Sequence, residues 1–228
     1  MRMLTTYAAD RDDVRGAGIP ARAALAAALL AAGLAASPAP ASAQAWSPPP
    51  GAVVTECDRL AAHPEDPDRV APGVPQAQVD TARAIAACQA AVAADAKNPR
   101  LNYQLARALG YAGRGREAGP YREAAVAGNY PQALFVVGFI HLFGLNEAER
   151  DPCKAADLIR RSARAGRVAG LLGFPAYLLD GRFAGCPVDA PKSELLGYVE
   201  RARPMIQGNF YAGLLADSLE ARIRARPD

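Results

Sequence analysis

The chain has few side chains suited to chemistry. Among its 228 residues stand two histidines, His63 and His141, and one tryptophan, and aromatics make up only 7%. No C-x-x-C pair occurs, which excludes the common zinc-ribbon and thioredoxin-like spacings. G-x-S-x-G, S-x-x-K and H-E-x-x-H are all absent, so none of these nucleophile or metalloprotease motifs is encoded. The glycines of Gly110-Tyr-Ala-Gly-Arg-Gly115 follow no strand and lack the Lys-Ser/Thr pair of a phosphate loop. They read as a helix–helix turn. Charge of one sign is also lacking. The net charge is +3 with acids and bases interspersed, which argues against the basic stripe of a nucleic-acid binder. No catalytic residue, metal or cofactor is expected.

What is present is alanine. The chain is 51% hydrophobic with few β-branched runs, a composition that favours helices packed closely through small side chains. Residues 1–43 read as a targeting segment. Arg22 precedes an apolar run over 23–36, Pro38 and Pro40 interrupt it, and Ala41-Ser42-Ala43 forms an A-x-A cleavage site. Cleavage is expected after Ala43, with no membrane span remaining afterwards. Asp10, Asp12 and Asp13 are unusual ahead of such a run, and initiation at Val14 would remove them. The protein is expected to be periplasmic or secreted.

Residues 44–75 read as a Pro-rich linker with a short helical segment opening at Cys57. Residues 76–228 read as the folded domain. There Ala84 and Ala91 are echoed by Ala118 and Ala125 at a spacing of 34, the mark of stacked helix–turn–helix units. Ala84, Ile85, Cys88, Ala91 and Val92 form one helical stripe. Asn98-Pro99 ends that helix and starts the next. Leu101, Leu105, Ala106 and Leu109 make the following apolar face, and residues 117–127 its partner helix. Four cysteines in an exported chain imply disulfides, with three pairings open. Cys57–Cys88 and Cys153–Cys186 are favoured, because each pair lies about one repeat apart and would staple neighbouring hairpins. Each bridge is worth about 3–4 kcal/mol by loop-closure entropy.

The first full unit resembles a tetratricopeptide repeat at Leu105, Ala106, Leu109, Ala118 and Ala125. The next resembles the Sel-one-like repeat: Ala133, Gly138 and Gly144, then Asp151, Lys154, Ala155, Leu158, Ser162, Ala163 and Gly166. Within it, Ala133 and Gly138 would allow close helix approach, Gly144 a left-handed helix end, and Asp151 and Pro152 a capped start. A third, degraded unit runs from Gly170 to Gly208, with Pro175 expected to bend or shorten its first helix. A C-terminal helix over 211–226 would close the array with a polar outer face. The resemblance implies an all-α solenoid of three to four antiparallel hairpins.

Such arrays use their first-helix faces as binding grooves. The register places Arg100, Tyr103 and Arg107 there from the first unit. Gln132, Phe135, Phe139 and Leu142 follow from the second, and Leu172, Ala176 and Leu179 from the third. The aromatics would anchor a peptide or protein partner while Arg100 and Arg107 engage its acidic groups; alternatively, residues 44–75 cover them. A row of arginines, Arg160, Arg164 and Arg167, reads either as a solvated face or as a contact for an acidic surface. The alternative function is a cell-envelope hydrolase acting on β-lactams or peptidoglycan fragments. It would need His141 in a polar pocket with a close acid, Glu147 or Glu149 being nearest in sequence.

Overall fold

The computed structural model describes residues 50–227. The expected targeting segment, its cleavage site and residues 44–49 lie outside the described residues. Within them the protein is all-α, with nine α-helices and no strand. These are α1 (Glu56–Ala61), α2 (Thr81–Ala94), α3 (Pro99–Tyr111), α4 (Gly119–Ala127), α5 (Pro131–Phe143), α6 (Pro152–Arg164), α7 (Val168–Leu179), α8 (Lys192–Ala202) and α9 (Phe210–Arg224). Short 3-10 turns precede α2 at Gln76–Gln78 and follow α8 at Arg203–Ile206. No helix among the described residues is long and apolar enough to cross a membrane.

Local chemistry sets the helix ends. Asn98 and Asp151 cap α3 and α6 with their side chains, and Pro99 and Pro152 occupy the first helical positions. Gly144 ends α5 at φ 66°, a left-handed conformation that a Cβ would strain. Each helix packs against the next in sequence. In the α5–α6 hairpin the chains run antiparallel. Ser162 Oγ near the end of α6 donates to the Pro131 carbonyl at the start of α5, and Asp151 N at the start of α6 donates to the His141 carbonyl near the end of α5. Their crossing is tight at Gly138, where an added Cβ would lie 2.7 Å from Ile159 Cγ1. That is the close approach expected of Gly138.

Both disulfides form as expected, Cys57–Cys88 joining α1 to α2 and Cys153–Cys186 joining α6 to the loop before α8. Several sequence expectations are corrected. No boundary between linker and domain falls at residue 76. Cys57 and Ala61 of α1 share one apolar core with Ala84, Cys88, Leu101 and Leu105. Pro175 lies inside α7, which continues past it to Leu179. Burial of Leu171, Leu172 and Phe174 around it outweighs the one hydrogen bond that proline cannot make. The outer face of α9 is not polar throughout, because Phe210 and Tyr211 are 72% and 81% exposed, with Leu214 and Leu215 beside them.

Arg160, Arg164 and Arg167 do not form one free basic face. Arg160 and Arg164 both pair with Glu194 of α8. That pairing, led by the Arg160 hydrogen bonds, holds the Glu194 carboxyl down at about 2. Arg167 is buried, and burial lowers its pKa.

Candidate functional site

The face shared by α3, α5 and α7 carries the residues expected to bind a partner. Its α3 end is closed by the protein's own segment 53–74. Asp58 is fully buried and completes the N-terminal capping box of α1 with Thr55. The same carboxylate accepts from Arg100 Nε at 2.8 Å and from Gln104 Nε2 at 2.9 Å. Arg107 reaches the carbonyls at the end of α1, where Ala62 O also accepts from Val74 N. Its Nη1 donates to Ala61 O and Ala62 O at 2.9 and 3.1 Å, and its Nη2 donates to Val74 O at 2.7 Å. Its guanidinium also lies 4.9 Å from the Tyr111 ring centre.

This corrects the roles given to Arg100 and Arg107. Arg100 Nε and Nη2 and both Arg107 Nη atoms donate to groups of residues 53–74, and Arg107 Nε donates to Tyr111 Oη, so these donors are engaged within the chain. Of the two alternatives for this stretch, the intrachain cover is the one realised at α3.

Tyr103 is buried as well. Its hydroxyl accepts from Gln132 Nε2 at 3.1 Å, and its ring packs 5.8 Å from Tyr130. Tyr130 in turn donates to the buried carboxyl of Asp66 at 2.6 Å. Burial pushes the Asp66 pKa up, although the Tyr130 hydrogen bond opposes it. Arg167 Nε donates to Gln132 Oε1, linking α7 to α5 and α3. Gln132 and Tyr103 are therefore interior members of one polar network that ties the cover down. Leu142 is corrected too: it is 1% exposed and belongs to the core with Ala155 and Ile159 of α6. Leu172 is buried in the same core, with Ala176 and Leu179 partly buried against it.

Phe135 and Phe139 stay on the open part of the face, each half-buried. They continue into a row. Phe135 and Phe139 are 6.3 Å apart, Phe139 and Phe143 4.7 Å, and Tyr177 of α7 meets Phe143 edge-on at 6.1 Å. Arg167 covers the Phe135 end at 4.6 Å and Arg182 lies 5.9 Å from Phe143. Phe143 is 39% exposed and the adjoining Leu145 41%. Phe143 and Tyr177 were missed in the sequence, although the 135/139/143 spacing of four residues signals one helical stripe.

His141 lines a polar cleft with Glu149, Asp151 and Lys154. Its Nδ1 lies 3.1 Å from the Glu149 carbonyl, a backbone group and not a carboxylate. No cluster of metal-ligating side chains occurs among the described residues. A comparison of the chain with protein families, curated proteins and solved structures finds no match.

Proposed function

We propose that this protein is an exported helical-repeat scaffold of the Sel-one/tetratricopeptide kind, whose stacked hairpins bind a peptide or protein partner. The observation that carries the reading is the row Phe135–Phe139–Phe143–Tyr177. It stays open on a face whose other end is closed by the protein's own N-terminal segment. Aromatic rows of this kind supply rigid, amphipathic contact area at low entropic cost. The partner segment would be apolar or aromatic, because Arg100 and Arg107 donate to the protein's own N-terminal segment. Sequential packing of each helix on the next supports a solenoid arrangement. Two disulfides support an oxidising compartment such as the periplasm.

The test is site-specific photo-crosslinking in intact cells from position 145, beside the row. The expected outcome is one dominant adduct that disappears in the variant Phe139→Ala plus Phe143→Ala, with helical circular dichroism unchanged. Persistence of that adduct in the double variant refutes the aromatic-row site.

A further inference from the structure

Among the described residues, three arginines are buried, and Arg122 of α4 is the one that the groove contacts do not explain. It is 8% exposed, and its Nη2 has no hydrogen-bond partner. A guanidinium nitrogen stripped of water and left without an acceptor is costly, and native proteins rarely retain one without use. Burial lowers its pKa, and the charge of Glu147 opposes that shift. That carboxylate accepts from Arg116 N at 3.0 Å and is half exposed.

Arg122 lines a cavity of about 100 Å³ between α3, α4 and α5. Val136, Val137 and Ile140 supply apolar lining, and His63 of the N-terminal segment also lines the cavity. Asn146 stands at the cavity beside Gly110. A Cβ on Gly110 would lie 3.6 Å from Arg122 Nη2 and 3.8 Å from Asn146 Nδ2, so two donors converge on one spot. No carboxylate side chain is among the lining residues.

We propose that this cavity is a binding site for a small free organic acid. The acid's carboxylate would accept from Arg122 and Asn146, and its short apolar chain would lie against Val136, Val137 and Ile140. A carboxylate matches the planar donor fork of a guanidinium, and such charge-assisted bonds are the strong ones. The volume allows several waters or one compact acid of a few carbons. The apolar wall accommodates a branched aliphatic chain.

The site is independent of the aromatic row, which lies on other side chains. The full chain is titrated with isobutyrate and isovalerate, followed by calorimetry and by amide chemical shifts. Isobutyramide, sulfate, and a short peptide with free or amidated C-terminus serve as comparisons. Saturable binding of the acids, and not of the amide or sulfate, is expected. Arg122→Met should weaken it at least about tenfold, the loss of one hydrogen bond to a charged group. The same variant should keep or raise thermal stability, since it removes an unpaired buried charge. Gly110→Ala should also weaken binding while leaving the fold intact, because its methyl fits at ordinary contact distance but stands between the donors. Equal response to acid and amide, response to sulfate alike, or unchanged affinity in both variants overturns the proposal. Binding confined to the free-C-terminus peptide overturns the small-acid assignment.

Discussion

Replacing Asp58 by Ala removes the acceptor at the centre of the contact between α1 and α3. The carboxylate takes hydrogen bonds from Thr55 N and Oγ1, from Arg100 Nε and Nη2, and from Gln104 Nε2. Thr55 Oγ1 still accepts from the backbone N of residue 58, and losing the acceptor of Thr55 N costs about 1 kcal/mol. The fully buried Gln104 amide is left without that acceptor, at about 1–3 kcal/mol. Breaking a buried ion pair costs about 3–5 kcal/mol. Arg100 is 17% exposed at its side chain and can recover some hydration, which favours the lower end. These contributions share one carboxylate and do not add, so the expected loss is about 3–4 kcal/mol. For a body of this size that lowers Tm by roughly 6–16 °C.

The Cys57–Cys88 bridge keeps α1 attached to α2, so the helical signal should change little. Urea unfolding gives the free-energy loss. Hydrogen exchange locates it, with faster exchange over 55–74 and unchanged protection in α5 to α8. A loss below about 1 kcal/mol, the size of a surface ion pair, refutes the reasoning that Asp58 anchors the cover.

Two further outcomes follow from packing and charge. Gly138→Ala would place a Cβ 2.7 Å from Ile159 Cγ1 and 3.2 Å from Leu158 Cβ. Overpacking outweighs the helix-propensity gain, and a net loss of about 1–2 kcal/mol is expected by urea midpoint; a gain refutes the close-approach role. Acidification should destabilise the fold in two windows. His63 has its pKa lowered to about 4 by burial and by Arg107, Arg167 and Arg69, and its Nδ1 accepts from Glu65 N. The unfolded chain takes up that proton first, so this contribution falls away as pH drops from 6.5 to about 4. Glu194, held down to about 2 by Arg160, contributes stability that is lost as pH falls from 4.5 to about 2. His63→Asn should flatten the upper window and Glu194→Gln the lower, and an unaltered pH profile in either variant contradicts that assignment.

Much of the fold was legible because its signals are local. Asn98-Pro99, Gly144 and Asp151-Pro152 mark helix ends through bonds that close within a few residues. The site was legible only in part. Phe135 and Phe139 lie on the open face, but Tyr103, Arg107 and Leu142, at similar helical positions, are buried. Periodicity tells which residues share a face, not what covers that face. The same gap explains α9, whose Phe210 and Tyr211 follow the helical pattern and yet stay exposed.

The amino-acid sequence by itself determined the all-helical class and most of the helix ends. Each of these rests on caps, prolines, glycines or a regular spacing that a short stretch of chain specifies alone. Only the tertiary structure decided what each buried charge meets. Asp58 finds Arg100 across 42 residues, Asp66 finds Tyr130 across 64, and Arg122 is left without an acceptor. A buried polar group takes its partner from whatever the folded chain brings within about 3 Å, and no local pattern encodes that distance.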